Sequence, residues 1–195
     1  MKVIGLTGGI GMGKSTVAAA FRRARIPVFD ADAVVHRLQG PGGRALPAIG
    51  RAFPGTVTAG VLDRAALRAA VLRDPAALKR LEAILHPMVR QEERTFLARA
   101  RRAGHSLAVL DIPLLFETGG NRRVDVVVVV SAPPKVQEHR VRLRRKMTPR
   151  EVAAVIARQT PDAEKRRRAD VVIQTGLSRR HALGALHRFI RRYRQ

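Results

Sequence analysis

Five short apolar runs punctuate the chain: Val3-Ile-Gly-Leu6, Ile26-Pro-Val-Phe29, Leu107-Ala-Val-Leu110, Val124-Asp-Val-Val-Val-Val-Val130 and Asp170-Val-Val-Ile173. They are rich in β-branched residues and continuous rather than alternating, the pattern of strands buried on both faces. Segments of helical spacing lie between them, Ser15 to Ala24 being the first. The pattern predicts an α/β fold in which helices flank a five-stranded parallel sheet.

More than 70 residues separate the second run from the third, far beyond a simple crossover. Gly40-Pro-Gly-Gly43 punctuates the front of this stretch, and helical patterns follow at Arg64 to Leu72, Pro75 to Leu85 and Pro87 to Arg102, with Pro75 and Pro87 read as first-turn prolines. Residues 36–100 are therefore expected to form a helical insertion carrying a second binding surface. The core is expected to comprise 1–35, 101–134 and 169–195. A last helical stretch, 135–168, holds twelve basic and four acidic residues, the position and charge of a lid.

With 195 residues the chain suffices for one substantial domain with an insertion. Its formal charge of +23 invites a nucleic-acid reading, but a hydrophobic fraction of 46% excludes a disordered polycation. The absence of Trp, with one Tyr and six Phe, equips it poorly for stacking on single strands. The absence of Cys removes disulfides, thiolate metal sites and a cysteine nucleophile. No apolar run approaches the roughly 20 residues of a membrane span, and Met1-Lys-Val-Ile-Gly-Leu6 breaks at once into glycines rather than continuing as a signal peptide. A soluble cytoplasmic protein is expected, with no membrane partner and no specific nucleic-acid partner; the sequence leaves its oligomeric state open.

Gly8-Gly-Ile-Gly-Met-Gly13-Lys14-Ser15 fits G-x-x-x-x-G-K-[ST], directly after an apolar strand and directly before a helix. Gly8, Gly9, Gly11 and Gly13 let the backbone wrap closely around phosphate oxygens, with Met12 between them and Thr16 in the first helical turn. Lys14 would bridge the β- and γ-phosphates of ATP, and the Ser15 hydroxyl would be a ligand of Mg²⁺. A guanine-recognition Asn-Lys-x-Asp motif is missing, since the only Asn, Asn121, precedes Arg122. A small-molecule kinase fits the length. Phe29-Asp30-Ala-Asp32 ends the second run, where ligands bind in open parallel sheets, so Asp32 or Asp30 can deprotonate an attacking hydroxyl or cap the next helix. Asp111, ending the third run, competes for the Mg²⁺ role.

These residues carry a resemblance to the dephospho-CoA kinase family over nearly the whole chain. Ile4-Gly-Leu-Thr-Gly-Gly-Ile-Gly-Met-Gly-Lys-Ser15 and Phe29-Asp-Ala-Asp32 are followed by Gly60-Val-Leu-Asp-Arg64 and Leu85-His-Pro87, then Ile112-Pro-Leu-Leu-Phe-Glu117 and Arg140-Val-Arg-Leu-Arg144. The series ends with Gln159 and Glu164-Lys-Arg-Arg-Arg-Ala-Asp170. The resemblance implies transfer of the ATP γ-phosphate to the ribose 3′-hydroxyl of dephospho-CoA, on a P-loop NTPase fold with a helical CoA-binding domain and a helical lid. It implies Asp32 as base, Lys14 as γ-phosphate ligand, and Arg140 and Arg144 as lid residues that reach the nucleotide phosphates, against a reading of both arginines as solvated surface. Four residues apart, these two share a helical face. His86 is either a cap-region residue or a substrate contact. Leu62-Asp63-Arg64 either holds the acceptor or lets Asp63 cap a helix. Leu115, with Leu114 and Phe116, either walls the acceptor pocket or packs the core, with Glu117 near the rim. Two positions depart from the family pattern: Arg145-Lys146 stands where a tight turn is common, and Thr175-Gly176 where an Asn-containing segment is more usual.

Two rivals fit part of this pattern. One is another P-loop small-molecule kinase, of nucleoside monophosphate or shikimate type. The other is an ATP-regulated nucleic-acid-binding protein, motivated by the charge. Because ATP and dephospho-CoA are both polyanions, basic residues in 135–168 would speed their capture; the clusters at Arg179-Arg180 and Arg191 to Arg194 are read as solvated surface or as compositional drift.

Overall fold

The computed structural model describes residues 1–72, 74–145, 148, 156 and 159–194, with the backbone alone for Arg144 and Arg145. In chain order its elements are β1 (Lys2–Thr7), α1 (Lys14–Arg23), β2 (Val28–Asp30), α2 (Ala31–Leu38), α3 (Leu46–Ala52), β3 (Val57–Thr58), β4 (Val61–Leu62), α4 (Arg64–Leu72) and α5 (Pro75–Arg102). They continue with β5 (Leu107–Asp111), a 3-10 turn (Gly120–Arg123), β6 (Val126–Ser131), α6 (Pro134–Arg145), α7 (Asp162–Arg167), β7 (Val171–Gln174) and α8 (Arg179–Tyr193). The chain divides into two compact units, Met1–Phe29 with Arg99–Gln195, and Asp30–Ala98.

The first unit is built on the expected five-stranded sheet, in the order β2-β5-β1-β6-β7. Its β1–β5, β1–β6 and β6–β7 registers are all parallel. Every residue of β5 and β6 is buried, as covering both faces of a parallel sheet requires. On one face, α1 and α8 contribute Val17, Phe21, Leu186, Phe189 and Ile190 to a cluster with Ile4, Leu6, Val109 and Val128, and Phe21 meets Phe189 edge-to-face at 6.1 Å. Two aspartates trim the expected strands. Asp125 Oδ2 accepts the Val3 N–H at 2.7 Å and Asp170 Oδ2 accepts the Val127 N–H at 2.7 Å, so each carboxylate satisfies a neighbouring strand from just outside the ladder.

β1 is where the topology reverses, since β5 lies on one side of it and β6 on the other. The crevice beyond the carboxyl end of such a strand is where open α/β sheets bind ligands, and the chain enters its glycine-rich loop there.

In the second unit, α2 starts at Asp30, whose Oδ1 accepts the Ala33 N–H at 2.9 Å. β3 and β4 form an antiparallel hairpin through Ala59 and Gly60, both at positive φ (48° and 73°), the two-residue turn that matches strand twist. The helices expected at Pro75 to Leu85 and Pro87 to Arg102 are one continuous helix, α5, with Pro87 inside it. Pro87 and Ala83, whose carbonyl loses its helical partner, are both exposed, so solvent has access where the hydrogen bond is missing.

Candidate active site

The glycine-rich loop is held from behind by its own backbone and by β6, β7 and α6. The Met12 N–H donates to Gly9 O at 3.1 Å. The Met12 side chain is buried, and its sulfur accepts the Ala132 N–H at 3.0 Å. Met12 O accepts from Thr175 Oγ1 at 2.6 Å. Met12 thus anchors the loop through groups on both its main chain and its side chain. Gly11 (φ 76°) is obligatory twice over: a Cβ there would lie 2.7 Å from Val141 Cγ2 and 2.9 Å from Gln137 O. Gly13, at φ 89°, caps α1 without any side-chain hydrogen bond, so the first helical N–H groups and the helix dipole are left for an anion.

Lys14 and Ser15 open α1 and Thr16 follows in its first turn. The Lys14 ammonium pairs with Asp111 Oδ1, whose side chain is nearly buried. The strand ends of β1 and β5 therefore bring the loop lysine and the acidic candidate of the third run together, while the Ser15 hydroxyl is exposed at the helix start.

Arg140, on α6, is half-buried beside the loop. Its guanidinium donates to Thr175 O at 2.7 Å and Thr175 Oγ1 at 3.0 Å, with Gly11 O at 3.5 Å. Thr175, one of the two departures from the family pattern, links the end of β7 to the loop through its hydroxyl and receives Arg140. Of Arg144 only the backbone is described, and Lys146 lies outside the described residues.

The remaining candidates separate. Leu115 has no exposed surface and packs with Phe116, Val127 and Val129, with its Cδ2 under Gly5, the packing alternative of the two the sequence left open for it. Glu117 Oε1 accepts the Thr160 N–H at 3.0 Å and lies 3.1 Å from Nζ of the fully buried Lys165, an ion pair bent off the hydrogen-bond line. Burial raises the Glu117 carboxyl, but the Thr160 and Glu117 N–H groups and Lys165 outweigh it and hold the carboxyl below its ordinary 4.5. Asp32, Leu62, Asp63 and His86 belong to the second unit. Asp32 is exposed in the first turn of α2, and Asp30 caps that helix. Asp63 accepts from Ala65 N and Ala66 N at 2.9 and 3.0 Å, capping α4. Leu62 is buried in β4 and His86 sits half-buried in mid-α5; the cap-region reading of His86 fails because no helix starts beside it.

Sequence reasoning passed over two glutamines. Gln137 Nε2 donates to Ile10 O at 2.9 Å and Gln159 Oε1 accepts the Ile10 N–H at 3.0 Å. Gln159 stands in the family pattern without a role assigned to it, and nothing in local spacing announces Gln137.

A family model for dephospho-CoA kinase matches residues 2–179. A dephospho-CoA kinase of Mesorhizobium japonicum is 61% identical over 176 residues, covering 90% of this chain and 88% of its own. One from Gluconobacter oxydans is 55% identical over 199 residues, covering 100% and 99%. Among solved structures, a Thermus thermophilus protein superposes with a TM-score of 0.86 at 38% identity, over 98% of this chain and 96% of the other. Dephospho-CoA kinase from Campylobacter jejuni superposes with a TM-score of 0.73 over the same shares, at 22% identity a likeness of fold. With its phosphate loop, its sheet order and nearly its whole length accounted for, the chain belongs to the dephospho-CoA kinase family.

Proposed function

We propose that this chain transfers the γ-phosphoryl group of ATP to the 3′-hydroxyl of dephospho-CoA, giving coenzyme A and ADP in the last step of coenzyme A biosynthesis. The observation that carries the reading is the family match across residues 2–179, which takes in the phosphate loop and all of the strand that leads into it. In this reading 36–100 holds the acceptor, with Leu62, Asp63 and His86 as candidate contacts, and 135–168 is the lid.

The chemistry asks for positioning and charge stabilisation more than for covalent participation. The loop and the start of α1 cradle the β- and γ-phosphates, with Gly8, Gly9, Gly11 and Gly13 allowing the close approach. Lys14, held at the loop by Asp111, presents its ammonium to the γ-phosphate. Arg140, held by Thr175 beside Gly11, supplies a second positive group on the lid side of the loop; Arg144 joins it in this reading. Asp32 accepts the proton of the 3′-hydroxyl as its oxygen attacks phosphorus in line, and ADP leaves with the electrons of the broken P–O bond. Ser15 and Asp111 offer the hard oxygen donors that suit Mg²⁺, which commonly relies on few protein ligands alongside phosphate oxygens and water. When bound, that ion neutralises charge on the triphosphate. Among the described residues no helix is long and apolar enough to cross a membrane; we place the reaction in the cytoplasm.

Mass and ³¹P NMR identification of the product tests this. Incubation with ATP and dephospho-CoA should yield coenzyme A carrying a new 3′-phosphomonoester. ADP release without that product contradicts the proposal.

A further inference from the structure

Among the described residues of the loop, Ile10 has both of its backbone polar groups held by side chains from the stretch 135–168. Its N–H donates to Gln159 Oε1 at 3.0 Å and its carbonyl accepts from Gln137 Nε2 at 2.9 Å. A backbone N–H only donates and a carbonyl only accepts, so the polarity of the two glutamines is fixed: Gln159 must present oxygen and Gln137 nitrogen. Both amides close over Gly9, where a Cβ would lie 3.3 Å from each of these atoms.

The two are held independently. Gln137 is buried in the first turn of α6, with its N–H on Pro133 O at 3.0 Å. Gln159 donates its N–H to Ile156 O at 3.1 Å and is followed by Thr160, whose N–H is taken by Glu117 Oε1. Glu117 is in turn paired with the buried Lys165. A carboxylate outside the loop thus sets the chain segment from which Gln159 reaches in.

Ile10 lies between Gly9 and Gly11, residues with the widest backbone freedom. An unrestrained peptide there can rotate and carry the following N–H groups away from the phosphates. We infer that Gln137 and Gln159 are positioning residues that lock the two peptide planes flanking Ile10, Gln159 holding the Gly9–Ile10 peptide and Gln137 the Ile10–Gly11 peptide, so that the phosphate loop is organised before ATP arrives and is coupled to the stretch 135–168. This rests on the kinase reading for its consequence in turnover, but not for the grip itself.

Two measurements on the full chain separate these. In amide hydrogen exchange followed by NMR, Gln159→Leu should speed exchange of the Ile10 N–H about ten-fold or more while the amides of Val17 and Phe21 in α1 keep their rates; an unchanged Ile10 rate overturns the inference whatever the enzyme does. In steady-state kinetics, Gln137→Glu and Gln159→Glu add the same charge at the same distance from Gly9, so repulsion of ATP is common to both. Glutamate at 159 still accepts from the Ile10 N–H, whereas at 137 it confronts the Ile10 carbonyl with no proton to donate. The KM for ATP of Gln137→Glu should exceed that of Gln159→Glu about ten-fold, with the KM for dephospho-CoA alike in both. Equal values or the reverse order contradict the assignment. Lysine reverses the logic and serves if either glutamate variant does not fold: Gln137→Lys keeps its donor, Gln159→Lys sets donor against donor, and the KM for ATP should be about ten-fold higher for the latter. Equality there is equally fatal.

Discussion

Replacing Gly11 with alanine probes the loop most sharply, because the structure supplies its own control in Gly42. Both glycines have positive φ, 76° and 66°. Alanine in this region costs roughly 1–2 kcal/mol at either position, which for a chain of this size lowers Tm by about 2–4 °C per kcal/mol. The surroundings differ. A Cβ at Gly42 meets nothing within 4 Å, whereas at Gly11 it would stand 2.7 Å from Val141 Cγ2 and 2.9 Å from the backbone oxygen of Gln137. Ordinary contacts begin near 3.5 Å, so loop or helix must retreat by about 0.5–1 Å. The Gln137 carbonyl belongs to α6 and cannot rotate aside as a side-chain tip would. A displacement of that size in a phosphate-positioning loop is worth about 10²-fold in rate. Varying ATP at saturating dephospho-CoA, kcat/KM for ATP should fall about 10²-fold in Gly11→Ala and by less than about two-fold in Gly42→Ala, with Tm lowered in both by thermal melting. Unaltered ATP kinetics in Gly11→Ala, or an equal catalytic loss in Gly42→Ala, would show that the close approach of α6 does not shape the loop.

Three further outcomes are expected. Asp32→Asn should lower kcat by about 10²–10⁴-fold with the KM for ATP little changed; near-normal kcat would remove Asp32 as the base. Asp30→Ala should lower stability by about 1 kcal/mol through loss of the α2 cap, seen as a small fall in Tm and absent if the cap is idle. Glu117→Gln strands the buried Lys165 without its counter-charge and should cost about 3 kcal/mol at neutral pH. Because the folded Glu117 carboxyl lies below 4.5, its contribution is present above that value and is lost as pH falls through the folded pKa. The Tm gap between wild type and Glu117→Gln should therefore close under acid, and a gap constant down to pH 3 would refute the pair.

What the sequence disclosed most clearly was the part where local chemistry and fold agree. An apolar run, spaced glycines, Lys14 and a helix are contiguous, so β1, the loop and α1 were readable without tertiary knowledge. The fully buried strands β5 and β6 were readable for the same reason, their continuous valine and leucine runs having no polar face. Pro87 misled because the usual penalty of an interior proline is relieved by solvent at Pro87 and Ala83, an exposure visible only after folding. The β3–β4 hairpin escaped notice because each strand has two residues, too few for alternation to register. In the site, Lys14 and Asp111 meet because β1 and β5 are neighbours although the two residues stand 97 positions apart in sequence, and the grip on Ile10 joins residues 127 and 149 positions apart. Such pairings follow from sheet order, which no local pattern encodes. Leu115 shows how a motif residue can also be tied into the core, since its buried side chain packs beneath Gly5.

The charge of +23 would by itself have pointed to nucleic acid. Arg179, Arg180, Arg191, Arg192 and Arg194 are exposed, whereas Arg140 is committed to the loop through Thr175. Among the described residues, these five arginines thus stand apart from the contact Arg140 makes with the loop, and overall charge sets the rate of capture rather than the identity of the partner.

The most direct test of the account compares acceptors under one set of conditions, with γ-labelled ATP and the wild-type chain. Label should pass to dephospho-CoA and not to coenzyme A, whose 3′-hydroxyl is already esterified, nor to AMP or shikimate. Efficient labelling of AMP or shikimate with none of dephospho-CoA would contradict the assignment at its centre.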